Sequence, residues 1–159
     1  MTLSPEPRDG GCLCGATRYR MTGAPIWINA CHCTDCQRLT GGAFGINIIT
    51  EAGNIERLSG ELRVDHAPTP SGRGQSIHRC AACGTRMWSN YGTPDVIRFV
   101  AAGTLDNPAA AIPDIHIFTD SKLPWIALPE DARAVPQFFD ARSVWPTESL
   151  ARWKAALRP

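Results

Sequence analysis

The 159-residue sequence has no apolar run approaching the roughly eighteen residues that cross a bilayer. No membrane partner is therefore expected. It also lacks an excess of charge: the net value is +1, which gives no reason to expect nucleic acid or an anionic surface as partner. Lysine is scarce. Only Lys122 and Lys154 stand among sixteen cationic residues, the rest being arginine. Genomic base composition accounts for that bias, although arginines lining a pocket would suit two-pronged capture of a carboxylate. Carboxylates paired at catalytic spacing, a Gly-x-Gly-x-x-Gly turn, a phosphate loop and a Gly-x-Ser-x-Gly elbow are all missing, which argues against nucleotide and serine chemistry. The first ten residues carry neither a basic nor an apolar region of a secretory leader, so a reducing, cytoplasmic setting is expected.

What the sequence does have is sulfur, tightly grouped. Its seven cysteines fall into Cys12-Leu13-Cys14, Cys31-His32-Cys33-Thr34-Asp35-Cys36 and Cys80-Ala81-Ala82-Cys83. Thiolates one or two residues apart can converge on an ion, and seven is one short of two closed four-thiolate sites. Structural zinc takes four protein ligands, whereas reactive zinc keeps three and a free position. Zinc is the first choice, although iron also accepts all-thiolate tetrahedra. In an extended strand residues i and i+2 share a side, so Cys12 with Cys14, and Cys31 with Cys33, can each aim at one ion. Cys80 and Cys83 fit a knuckle turn followed by the permissive Gly84. The simplest partition places Cys12, Cys14, Cys80 and Cys83 in a closed site, and Cys31, Cys33 and Cys36 in an open one. Spacing also allows the middle cluster to recruit a fourth cysteine, or His32.

Hydrophobic residues make up 43% and charged residues 19%, the balance of a globular chain. Residues 1–10 read as a flexible start and 11–159 as one domain, without repeats or a linker. Short β-prone runs are expected at 16–22, 26–31, 43–50, 61–66, 75–79, 85–91, 96–102 and 114–118, separated by turn residues. Asp35 to Leu39 reads as a helical turn, and 68–74 as a loop. A short C-terminal helix is expected from Pro146, with Leu150, Trp153 and Leu157 on one face. Mostly short strands point to a mainly β fold.

The motifs Gly11-Cys12-Leu13-Cys14-Gly15, Cys31-His32-Cys33-Thr34-Asp35-Cys36-Gln37, Thr40-Gly41-Gly42-Ala43-Phe44 and Cys80-Ala81-Ala82-Cys83-Gly84-Thr85 resemble the glutathione-dependent formaldehyde-activating enzyme family, whose domain centromere protein V shares. The stretch His116-Ile117-Phe118-Thr119-Asp120-Ser121-Lys122-Leu123-Pro124-Trp125 is similar to a further signature of that family. The resemblance implies a β-tent of small antiparallel sheets around a structural zinc held by Cys12, Cys14, Cys80 and Cys83. It implies a second, reactive zinc on Cys31, Cys33 and Cys36, which would be the catalytic residues. Three thiolates hold an ion less firmly than four, so that second site could be partly filled. The implied activity is that of a carbon–sulfur lyase, joining formaldehyde and glutathione as S-hydroxymethylglutathione, with a small thiol and a small aldehyde as partners. Two alternatives stand beside it: a non-catalytic zinc-binding module or thiol carrier, and a metal-free thiol redox enzyme. Around the middle cluster, His32 could shuttle protons or merely pack. Asp35 could orient a ligand or cap a turn, and Arg38 could face a carboxylate or solvent. Thr40-Gly41-Gly42 could approach an anion or simply turn. Among the tryptophans, Trp27, Trp88, Trp145 and Trp153 read as core and Trp125 as a pocket wall. His66, His78 and His116 fall in expected strands and need no metal.

Overall fold

The computed structural model describes residues 4–92 and 94–158. Its strands are β1 (Arg8–Gly11), β2 (Arg18–Met21), β3 (Trp27–Cys31), β4 (Gly45–Glu51), β5 (Ile55–Ser59), β6 (Leu62–Ala67), β7 (Gln75–Cys80), β8 (Arg86–Tyr91), β9 (Ile97–Ala101) and β10 (Ile115–Ile117). The α-helices are α1 (Thr34–Thr40), α2 (Ala141–Val144) and α3 (Thr147–Ala156). The body is mainly β, as expected, with a short C-terminal helix. One sheet runs β1-β2-β5 and the other β10-β3-β4-β9-β8-β7-β6. Pairing is antiparallel except at the edge, where β10 runs parallel to β3 and sets Ile117 opposite Cys31.

Alternate strand residues face opposite sides, and β4 uses both. Ile48 joins one core with Tyr19, Met21, Ile28, Trp88 and Val100, which packs the small sheet against the large one. Ile49 joins a second core with Trp27, Cys31, Cys36, Ile97, Ile117 and Trp145. Leu150, Trp153 and Leu157 pack on this second core, so the apolar stripe foreseen for the last helix is the face that docks. Arg152 fastens α3 by donating to both carboxylate oxygens of Glu51, at 2.8 and 2.6 Å.

The anticipated strands all form, shifted by a residue or two at their ends. Two further strands escaped the sequence reading. β5 is mostly exposed and polar. β1 takes up part of the stretch expected to be a flexible start and pairs with β2 in full register; residues 1–3 of that stretch lie outside the described residues. Gly10 explains why so plain a sequence as Arg-Asp-Gly-Gly forms a strand here. A Cβ on Gly10 would meet the Tyr19 ring at 2.6 Å and the Thr104 carbonyl at 2.5 Å, so only glycine allows this approach. No helix among the described residues is long and apolar enough to cross a membrane.

Candidate metal centres

Two turns build the first centre. Gly15 N–H donates to the Cys12 carbonyl at 3.0 Å, and Gly84 N–H to the Cys80 carbonyl at 2.9 Å. Both glycines have positive φ, 77° and 75°, which the left-handed region makes cheap only for glycine. Cys12 and Cys14 thus converge through a tight turn and not through an extended strand, a correction to the geometric reason inferred from spacing. The ligand atoms of Cys12, Cys14, Cys80 and Cys83 lie within 4.8 Å of one another. Cys12 Sγ stands 3.4 Å from Cys14 Sγ, which stands 3.9 Å from Cys80 Sγ. A tetrahedral ion with sulfur ligands at about 2.3 Å sets them about 3.8 Å apart, so the four fit such an ion. The sulfurs are already supported: Thr17 N–H donates to Cys12 Sγ at 3.2 Å, and the Thr85 hydroxyl stands 3.1 Å from Cys83 Sγ. The Thr85 hydroxyl and backbone N–H pull the Cys83 thiol down to about 5.

The second centre comes from one continuous stretch. Cys31 ends β3, Cys33 is the N-cap of α1, and Cys36 lies in the first turn. Their sulfurs lie within 4.8 Å of one another, and among the described residues no fourth His, Cys, Asp or Glu ligand atom joins them. Cys33 Sγ accepts from Cys36 N–H at 3.4 Å, the usual bond of an N-cap. Hydrogen bonds from Cys31 and Cys36, then from backbone N–H groups of Cys36 and Asp35, hold Cys33 far below the ordinary thiol range. Cys31 is pushed up, first by its hydrogen bonds to the Cys33 and Cys36 sulfurs and then by burial. Gln37 fixes the stretch from behind, donating to the His32 carbonyl at 2.8 Å and the Ser121 carbonyl at 3.0 Å.

A cavity of about 560 Å³ lies between the centres. Leu39, Thr40, Phe44, Gly45 and Ile46 line one side, and Arg79, Cys83, Thr85 and Arg86 another. Gly45 separates it from the three-cysteine centre: a Cβ there would stand 3.6 Å from Cys36 Cβ. Arg86 is 9% exposed. It donates to Asn47 Oδ1, while Asn47 Nδ2 lies 4.0 Å from Cys36 Sγ. Burial lowers the Arg86 pKa, and the charge of Cys36, then of Cys31, opposes that fall.

Arg86 reaches Asn47 through an irregularity. Trp88 pairs with His78 but Arg86 pairs with Arg79, so β8 carries one extra residue, Met87. Arg86 and Trp88 would share a face in a regular strand. The bulge instead leaves Met87 and Trp88 together in the first core and turns Arg86 toward Asn47. No local signal in the sequence marks Arg86 or Asn47, because both act through long-range pairing.

Other expectations divide. His32 is fully buried; its Nε2 lies 3.0 Å from His116 Nδ1 and its ring stacks on His116 and tilts against Phe44, so it is turned away from ligation. Burial, then His116 and Lys122, push it down to about 4. The cap of α1 is Cys33, with Asp35 in the first turn. Arg38 is exposed, and the arginines on the cavity are Arg79 and Arg86 instead. Thr40-Gly41-Gly42 is a helix C-terminus, with Gly41 at φ 68°. Trp125 is 71% exposed and off the cavity, so the pocket-wall expectation fails. Trp27, Trp88 and Trp145 are core, Trp153 packs at its edge, His78 stacks on Trp88, and His66 is exposed.

A family model described as glutathione-dependent formaldehyde-activating enzyme matches residues 7–121. A curated protein of Halomonas elongata, provisionally named as such an enzyme, is 26% identical over 159 residues, covering 94% of this chain and 95% of that one. A crystal structure of a Rhodobacter sphaeroides protein is similar with a TM-score of 0.48 and 16% identity, over 62% of this chain and 87% of that one. The family match spans both cysteine centres and the cavity between them: the chain belongs to the glutathione-dependent formaldehyde-activating enzyme family.

Proposed function

We propose that this chain is a zinc-dependent carbon–sulfur lyase that joins glutathione to formaldehyde in the cytoplasm. Cys31, Cys33 and Cys36 hold the reactive zinc, and Cys12, Cys14, Cys80 and Cys83 the structural one. The observation that carries this reading is the convergence of three sulfurs without a fourth protein ligand among the described residues, beside a cavity of about 560 Å³. A zinc ion bound there supplies a position at which an incoming thiol gives up its proton. In the reaction the thiol sulfur forms a bond to the formaldehyde carbon, the carbonyl π bond opens, and the thiol proton ends on the new hydroxyl. Leu39, Phe44 and Ile46 make one side of the cavity apolar. Arg79 brings positive charge suited to a peptide carboxylate. Holding the thiol beside the aldehyde gives rate through proximity.

The adduct also forms without protein, so the test is a rate above background. Zinc-replete, reduced protein is assayed for S-hydroxymethylglutathione formation beside its Cys36→Ser variant. Wild type is expected to exceed background and the variant to match it. Wild type at background while carrying two zinc ions per chain would remove the catalytic claim.

A further inference from the structure

Arg86 is the most deeply buried arginine of the described residues, and among those residues no carboxylate reaches it. Partly buried arginines elsewhere, Arg8 apart, are paired with carboxylates. Arg79 meets Asp65 at 3.0 Å, Arg98 meets Asp95, and Arg152 meets Glu51 at 2.6 Å. Arginine is almost never fully buried without a partner, because an uncompensated charge in the interior is strongly destabilising. Arg86 instead has one neutral acceptor, Asn47 Oδ1, and a buried Nε with no hydrogen-bond partner. The groups on that side are the sulfurs of the three-cysteine centre, Cys36 Sγ lying 4.0 Å from Asn47 Nδ2, and they turn anionic on ligating an ion. Three thiolates around a divalent ion leave one net negative charge, which a guest thiolate would raise to two.

We infer that Arg86 is the built-in countercharge of the three-cysteine centre, held in place by Asn47 and by the bulge at Met87, and that it favours an anionic fourth ligand there. It is a positioning residue, acting through the field it places beside Cys36. The inference rests on the proposed metal occupancy of that centre, and not on formaldehyde as substrate. The four-cysteine centre lies outside its action: Cys14 and Cys83 are exposed to water, which screens charge.

The test uses the full chain loaded with zinc(II), its two ions released stepwise by a competing chelator. The same chain loaded with cobalt(II) is titrated with 2-mercaptoethanol and followed by sulfur-to-cobalt absorption. Arg86→Met is expected to weaken the second ion about 10- to 100-fold, as loss of a supporting partner does. Its uptake of 2-mercaptoethanol is expected to fall, with the four-cysteine ion unchanged. Arg86→Lys keeps the charge and is expected to recover most of both. Asn47→Asp, nearly isosteric, gives Arg86 a carboxylate and is expected to weaken the second ion; it decides the matter if Arg86→Met does not fold. Unchanged second-ion affinity in Arg86→Met, or in Asn47→Asp, overturns the inference. So does Arg86→Lys failing as completely as Arg86→Met. A wild type that takes up a single ion overturns both this inference and the proposed function. Two ions with no rate above background would sink only the latter.

Discussion

The four-cysteine centre joins Cys14 to Cys80, 66 positions away, whereas the three-cysteine centre lies within a single hexapeptide. The first closes a long loop that the polypeptide closes only at an entropic cost, and an ion there returns binding energy as folding energy. The second closes nothing distant: its geometry follows from the end of β3 and the cap of α1. Exposure runs the opposite way to what ligand count alone suggests. The closed set has two exposed sulfurs, Cys14 and Cys83, while the open set buries Cys31 and Cys36 and half-buries Cys33. A fastening site can be wet, because its ligands saturate the ion. Under the proposed function the second site has to limit water, because its free position is meant for something else.

The largest effect expected from this contrast is on folding. Cys80→Ser should abolish the cooperative thermal transition seen by circular dichroism, or shift it to far lower temperature, whereas Cys36→Ser should leave it close to wild type. Equal losses in the two variants would erase the distinction between a fastening and a reactive centre. A smaller blow to the same region comes from Gly60, whose φ is 76°. A Cβ on it would stand 2.3 Å from the Ala16 carbonyl, next to the loop that carries Thr17 to Cys12. Gly60→Ala is expected to destabilise by more than the roughly 1 kcal/mol that the same change gains at a strain-free site, read by urea unfolding. It should also loosen the ion of the four-cysteine centre before the other.

The smallest expected effect lies behind the three-cysteine centre, where Arg152 ties α3 to Glu51. Burial pushes the Glu51 carboxyl up, but the hydrogen bonds and charge of Arg152, together with the Glu51 backbone N–H and the Thr50 hydroxyl, outweigh it and hold the group below its ordinary 4.5. A depressed folded pKa gives stability that is present above the unfolded value and lost as pH falls through the folded one. Glu51→Gln should therefore flatten the acid side of the stability curve below about pH 4.5. Because the pair is partly exposed, the loss at neutral pH should be no more than about 1 kcal/mol. A curve superimposable on wild type would show that α3 docks by its apolar face alone.

Much of this was legible in the sequence. The cysteine clusters announced two centres because ligand spacing is a local property, and the runs around Ile48 and Val100 announced strands because apolar, β-prone residues crowd there between turn residues. The C-terminal helix was visible through Leu150, Trp153 and Leu157. The rest was hidden for identifiable reasons. β1 depends on Gly10 fitting against Tyr19, a contact between strands that residue type alone does not disclose. Trp125 sits in a family-like stretch, yet its ring faces solvent, because the segment is anchored upstream by the Ser121 hydroxyl on the His32 carbonyl. Arg86 and Asn47 come together only when β4 and β8 take their places on either side of β9. In sequence they are an ordinary arginine and an ordinary asparagine.

The supernumerary Met87 therefore links sequence length to electrostatics. Were Met87 drawn into register as an ordinary strand residue, the guanidinium would swing to the Trp88 face and be stranded among hydrocarbon, with no residue near the sulfurs altered. In this short run after Cys83, then, how many residues there are matters as much as which ones, and a comparison that slides a gap through it would misjudge the neighbourhood of both ions.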